Sequence, residues 1–180
     1  TASVHDVSNS QKTKSGCLVK YQYSTGKTTV YPANSGMSFA SSIVLDITCD
    51  AKGNVYLLNK FGVCQLNSGS GKTALFYSNN LLPDNTYVSM EIDAKNRLWL
   101  GTLTNGIVVY EIPTNKYILL KGQPTLLSDD MLMQASTIDE NNHLYFWDVT
   151  GINIFNANDI HFNLPQPKVI VSDILMRGKS

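Results

Sequence analysis

With 180 residues, 14 basic against 14 acidic side chains and 43% hydrophobic content, the chain is neither disordered nor collagen-like and can bury a core. Zero formal net charge, without a run of Lys or Arg, argues against a phosphate-binding surface, so no nucleic acid is expected as a partner. No apolar run approaches the ~20 residues of a membrane span, and Thr1-Ala2-Ser3 lacks the features of a leader, so no membrane contact by this segment is expected.

In chain order, residues 1–6 read as the remnant of a strand. A polar segment then leads to Gly16-Cys17-Leu18-Val19-Lys20-Tyr21, an apolar strand. Tyr23-Ser24-Thr25-Gly26-Lys27 is a hairpin turn, and residues 28–31 form a strand rich in β-branched side chains. After a polar connection, strands are expected at 43–49, 54–58, 62–66 and 73–77, with turns at Asp50-Ala51-Lys52-Gly53 and Ser68-Gly69-Ser70-Gly71. The stretch 88–111 repeats this scheme as three short strands, and a fourth follows after Pro113-Thr114-Asn115. The next set starts near Gln134 and runs through Asp139-Glu140-Asn141-Asn142, 143–147 and 151–155. Pro165-Gln166-Pro167 then breaks the rhythm before an apolar strand at 168–176, which marks a domain boundary.

The turn aspartates Asp50, Asp93 and Asp139 recur at intervals of about 45 residues, and so do Gly16, Gly62, Gly106 and Gly151. A period of this length, carrying strands and no helical pattern, predicts an all-β fold: a partial β-propeller of three to four four-stranded blades over residues 1–163, in fragments 1–33, 43–78, 87–121 and 134–163. One blade cannot bury both faces alone, so neighbours stack, and Leu98 and Leu100 are expected to face one neighbour while Trp99 faces the other. An Asp side chain at a turn bonds backbone N–H groups two residues on, which assigns the three aspartates to structure. The recurring glycines are read as positions whose conformation other residues resist. Trp99 and Trp147 are placed at matching repeat positions in the packing between blades.

Cys17, Cys49 and Cys64 sit in apolar strand segments without metal or redox spacing and are expected to be buried small hydrophobes. His5, His143 and His161 have no ligand-spaced neighbours, so neither a metal nor another cofactor is expected. No nucleophile elbow occurs and no catalytic residue is assigned. Of the acids Glu91, Asp93, Asp139 and Asp148, only Asp148 lacks a strand or turn role. A ligand surface is expected on the loops joining second and third strands, where Asn59, Lys60, Thr102, Thr104, Asn105 and Asp148 offer amide, hydroxyl and charged groups, with Trp147 as a stacking plane. That mixture suits a hydroxyl-rich ligand such as an oligosaccharide.

The pattern Asp-x-x-Gly/Asn-x-Leu-Trp-Leu-Gly-Thr followed by Asn-Gly-Ile-Val-Val-Tyr resembles the two-component regulator propeller repeat, and Gly151-Ile152-Asn153-Ile154-Phe155-Asn156 resembles it again. Pro167-Lys168-Val169-Ile170-Val171-Ser172-Asp173-Ile174 resembles the entry into the immunoglobulin-like domain that follows the last blade in that family, giving residues 164–180 as linker and first strand. The resemblance implies the periplasmic sensor region of a hybrid histidine kinase, homodimeric in the parent receptor, sensing polysaccharide breakdown products and not itself an enzyme. Two other readings stand beside it. One is a lyase or hydrolase propeller using acids and histidines such as Asp148 and His143, and the other is a structural interaction module.

Overall fold

The computed structural model of the chain describes residues 2–3, 17–32, 43–59, 62–67, 69–70, 73–77, 82, 86–122, 124 and 126–162. Its strands form four antiparallel sheets, each a meander and each a blade. The first contains β1 (Ala2–Ser3), β2 (Cys17–Gln22) and β3 (Lys27–Pro32). The second contains β4 (Val44–Cys49), β5 (Val55–Asn59), β6 (Gly62–Leu66) and β7 (Thr73–Tyr77). The third contains β8 (Tyr87–Ile92), β9 (Arg97–Thr102), β10 (Ile107–Glu111) and β11 (Lys116–Leu120). The fourth contains β12 (Met131–Ile138), β13 (His143–Asp148) and β14 (Ile152–Asn156), then a 3-10 turn at Ala157–Asp159.

The all-β partial propeller is therefore the fold, with four strands in the two middle blades and three in the outer two among the described residues. The fourth blade begins at Met131 instead of Gln134. The expected strand at 168–176 and the linker before it lie outside the described residues.

Blade stacking follows from the period-2 alternation of each strand. Tyr56, Leu58 and Val63 of the second blade pack on Leu98, Leu100, Val108 and Tyr110 of the third. On its other face the third blade turns Trp99, Ile107 and Val109 toward Leu144, Phe146 and Phe155 of the fourth. Leu18 of the first blade meets Leu57, Cys64 and Leu66 of the second. Because it is covered on both faces, the third blade buries nearly every residue of β8, β9 and β10, which explains why these strands read as almost continuous apolar runs.

The turn aspartates do what their residue type predicts, and more. In each case one carboxylate oxygen accepts the backbone N–H groups two and four residues on: Lys52 and Asn54 for Asp50, Lys95 and Arg97 for Asp93, Asn141 and His143 for Asp139. The other oxygen takes side chains four and six residues on: Asn54 and Tyr56, Arg97 and Trp99, His143 and Tyr145. The third residue of each turn adopts a left-handed conformation, with φ of 81° at Gly53, 57° at Asn96 and 66° at Asn142. Gly lacks the Cβ that opposes this region and Asn tolerates it, which is why only these two types stand there.

Asp93 differs from its counterparts because Arg97 follows it. The Arg97 Nε donates to Asp93 Oδ2 at 2.6 Å, and both side chains are sealed from solvent. The rest of the guanidinium reaches the fourth blade, donating from Nη1 to the Ile160 carbonyl at 2.7 Å and from Nη2 to the Ala157 carbonyl. Asn54 and His143, at the same repeat position, are too short to make that bridge.

The structure corrects four expectations. Cys17, not Gly16, matches Gly62, since Cys17 pairs with Pro32 as Gly62 pairs with Tyr77. Trp147 does not match Trp99. Trp99 pairs with Val109 and Tyr145 with Ile154, while Trp147 pairs with Ile152 at the position where the third blade has Gly101 opposite Ile107. Cys49 is exposed because it ends β4, whereas Cys64 is buried, which pushes its thiol up to about 11. Gly106 needs its glycine, at φ of 72° and with the Leu120 carbonyl where a Cβ would stand, but Gly151 is not in the left-handed region, so the backbone does not require a glycine there.

Two stability measurements check this account. Replacing Arg97 with Met leaves Asp93 buried without its countercharge and should destabilise the chain by about 3–5 kcal/mol in denaturant unfolding. Asn96→Ala should cost about 1–2 kcal/mol and Asn96→Gly should be close to neutral, if the left-handed turn conformation is what selects the residue.

Candidate functional site

In an antiparallel meander the loops alternate between two ends. The aspartate turns occupy one end, and the loops between second and third strands share the other with the connections between blades. The structure divides the expected ligand residues into two groups at this second end. Asn59, Thr102 and Asp148 hold the same place, the last residue of the second strand, and all are buried. Thr102 Oγ1 donates to the Gly106 carbonyl at 2.8 Å and accepts the Asn105 N–H at 2.8 Å.

Asp148 accepts from the Thr150 and Gly151 backbone, the Thr150 hydroxyl and the Asn153 amide. Burial by itself would raise the Asp148 carboxyl, but the donors on Thr150, Asn153 and the Thr150 and Gly151 backbone outweigh it and hold it down at about 2. The Thr102 and Asp148 side chains thus close their own loops. Lys60 lies outside the described residues.

The second group is accessible. Thr104 is exposed, Asn105 is half-buried and its Oδ1 accepts from Lys121 Nζ, and Leu103 is 49% exposed. The connection from the third to the fourth blade closes on the same loop. The Gly106 N–H donates to the Asp129 carbonyl at 2.8 Å, and the Gly122 N–H donates to Asp129 Oδ1 at 2.9 Å. Trp147 stands apart, half-buried on the open sheet face of β13.

One feature of this rim is absent from the sequence reading. Each innermost strand carries a register shift near its start: between Val44 and Asp46, between Tyr87 and Ser89, and between Met131 and Ser136. The first two are single-residue bulges, but the third spans Leu132-Met133-Gln134-Ala135 against Trp147 alone. Leu132 and Met133 are 41% and 60% exposed, and Gln134 adopts φ of 56°. Among the described residues it is the one residue other than Gly or Asn in the left-handed region. The signal was in the spacing, since Asp93 to Asp139 is longer than Asp50 to Asp93.

Farther along the inner strands, Asp46, Glu91 and Ser136 converge from β4, β8 and β12. Asp46 Oδ2 accepts the Met90 N–H at 2.8 Å, and Ser136 Oγ donates to Glu91 Oε1 at 3.4 Å. Burial first, then the charge of Asp46, pushes Glu91 up to about 7, opposed by the Ser136 hydroxyl. Burial also raises Asp46, against the hydrogen bonds from Met90 and Ile47.

At the turn end, Lys95, Glu111, Thr114, Lys116 and His161 border an open cleft of about 320 Å³ whose floor includes Arg97. The Arg97 guanidinium is already committed to Asp93 and two carbonyls. His143 is tied to Asp139 at 3.1 Å and lies at the far end of β13 from Asp148, about 17 Å away at ~3.3 Å per residue, so the structure does not bring these two together. Among the described residues no three His, Cys, Asp or Glu side chains form a group that could hold a metal, and no helix is long and apolar enough to cross a membrane.

Residues 81–104 match the family model described as Two component regulator propeller. The fold is similar to the extracellular domain of the hybrid two component system BT3049 from B. thetaiotaomicron, with a TM-score of 0.59, 16% identity, and coverage of 79% of this chain and 20% of that one. It is also similar to the corresponding domain of BT4673 from the same organism, with a TM-score of 0.54, 18% identity, and coverage of 80% and 20%. PorZ, described as a surface component of the type-IX secretion system of Porphyromonas gingivalis, gives a TM-score of 0.55 at 14% identity, with coverage of 83% and 23%. The chain spans about a fifth of the length of these structures, and at such identities the likeness shows the fold. A comparison with curated protein sequences finds no match.

The inner-strand carboxyls make a pH prediction. Glu91 has a folded-state pKa of about 7, above the unfolded value of about 4.3, so the native state holds its proton more tightly. Its contribution is fully present below about pH 4 and is lost as pH rises through about 7. Glu91→Gln keeps the neutral shape, so the variant should gain stability relative to the parent across that window and hold the gain above it. Urea unfolding of both proteins at a series of pH values checks this, and a constant difference would show that Glu91 does not titrate there.

Proposed function

We propose that this chain is a segment of the ligand-sensing, extracytoplasmic part of a hybrid two-component receptor, periplasmic in location and non-enzymatic in itself. The observation that carries the reading is the two component regulator propeller repeat at residues 81–104, set in a fold similar to two extracellular domains of such systems. Fold alone does not choose a function, as the likeness to PorZ illustrates, so the repeat match and the site must carry the weight.

The ligand we assign is a carbohydrate, held at the rim where the third and fourth blades meet. Thr104 and Asn105 offer a hydroxyl and an amide, Lys121 a cation beside them, and Leu132, Met133 and Gln134 a part-apolar shelf on the inner strand. Sugars present hydroxyl edges and apolar ring faces, which this combination matches. A ligand bridging the loop of one blade and the bulge of the next favours one arrangement of the two over others, and such a bias is what a receptor transmits.

Calorimetric titration with a panel of neutral oligosaccharides tests this. Saturable binding to at least one is expected, weakened about tenfold, or 1.4 kcal/mol, by Asn105→Ala or Lys121→Ala. Lys121 is exposed and Asn105 half-buried, so each substitution should change the unfolding stability by little, within about 1 kcal/mol. A panel without binding, or binding indifferent to both changes, overturns the assignment of carbohydrate to this rim.

A further inference from the structure

The chain balances 14 basic against 14 acidic side chains, but the open cleft at the turn end of the third blade does not share that balance. Lys95 borders it from the turn between β8 and β9, and Lys116 from the start of β11. Among the described residues neither ammonium group makes an ion pair or a hydrogen bond. Arg97 on the floor is neutralised by Asp93, so the acid that remains to offset the two lysines is Glu111, whose carboxylate already accepts the Thr114 hydroxyl. One positive charge is left in excess.

Arg97 adds a second, independent observation. A guanidinium carries five N–H groups, and this one donates three, to Asp93 and to the Ile160 and Ala157 carbonyls. Two N–H groups therefore have no acceptor among the described residues, on a side chain that is 2% exposed. Buried donors without an acceptor are costly, and the cleft is where an acceptor can reach this one. Ile160 and Phe162 complete the lining with apolar surface, and both are anchored by packing on the core between the third and fourth blades.

We propose that this cleft binds a small organic carboxylate, which accepts from Lys95, Lys116 and Arg97 while its apolar body lies on Ile160 and Phe162. Charge singles out a carboxylate among oxyanions. One positive charge in excess matches a monoanion, whereas a phosphate dianion brings a further negative charge up to Glu111. The cleft of about 320 Å³ stands at the small end of ligand pockets, which run from about 300 to 1,000 Å³, so the body is a single ring or a short chain. The site lies at the opposite end of the blades from the rim assigned to carbohydrate, and the two assignments are independent.

The test uses the 180-residue chain with benzoate as the probe. Benzyl alcohol supplies the same ring without the charge, and inorganic phosphate an oxyanion without the ring. In a titration followed by two-dimensional amide NMR, benzoate should produce saturable shifts at Lys95, Thr114 and His161. The two comparison compounds should bind about tenfold more weakly or worse, and Lys95→Ala or Lys116→Ala should each weaken benzoate about tenfold. Both lysines are exposed, so the circular dichroism spectrum and melting profile of each variant should match the parent. Asn105→Ala at the rim should leave benzoate binding unchanged, which keeps this result separate from the carbohydrate titration. The absence of a saturable shift at the cleft overturns the proposal. So does benzyl alcohol or phosphate binding as tightly as benzoate, or benzoate binding that neither lysine substitution weakens.

Discussion

The structure depends most on the carboxylate of Asp93. It is buried, and it remains so because four donors surround it: the N–H groups of Lys95 and Arg97, the Arg97 guanidinium and the Trp99 indole. A carboxylate removed from water is costly unless paired and hydrogen-bonded, so the geometry around Asp93 has little freedom. That fixes the turn between β8 and β9, places Trp99 where its ring lies 5.8 Å from Phe155, and aims the remaining guanidinium nitrogens at the end of the fourth blade. A single charged pair thus sets a turn, the packing beneath it and a link between blades. Asp50 and Asp139 keep the turn but are partly exposed and lack the arginine, so neither turn reaches a following blade with a charged link of its own.

How much of this was legible in the sequence follows from how local each cause is. The strands at Gly62–Leu66 and Thr73–Tyr77 lie where their apolar patterns and turn residues place them, because both signals are carried within a few positions. The turn aspartates and the Gly or Asn three residues later were readable for the same reason. Leu98 and Leu100 facing away from Trp99 follows from alternation alone. The short bulges of β4 and β8 were not readable, since a bulge is a mismatch between two strands and neither strand shows it by itself, and only the longer Asp93–Asp139 spacing hinted at the one in β12. Counting tryptophans without counting from Asp139 made Trp147 look like Trp99, when Tyr145 is the true counterpart and Trp147 stands where the third blade needs Gly101. There an added Cβ would lie 3.3 Å from Met131 and collide with the Ser89 hydroxyl.

Three of the expected ligand residues are buried at one shared place in the repeat. Asn59, Thr102 and Asp148 are all polar, all at loop entrances and all different from one another, so they read as variable recognition groups. Their shared position is the end of the second strand, where the chain must reverse. At Thr102 and Asp148 the side chain accepts the loop's own backbone N–H groups. Variation at such a place reflects loops of different length being closed by whichever short acceptor fits. What is left for recognition are residues beyond that closure, such as Thr104 and Asn105, and residues that the repeat does not require at all.

The long bulge in β12 is of that last kind. A blade needs its inner strand to enter the sheet, and the second and third blades do so with one extra residue each. The fourth uses a longer detour that leaves Leu132 and Met133 in solvent and holds Gln134 in a left-handed conformation costing about 1–2 kcal/mol in a residue of its kind. Folding gains nothing from either, because the shorter bulges already solve the geometric problem. Strain and exposed apolar surface that the fold does not require persist where something else makes use of them. They lie beside the connection that closes on Gly106, at the rim between the third and fourth blades to which the proposed ligand is assigned.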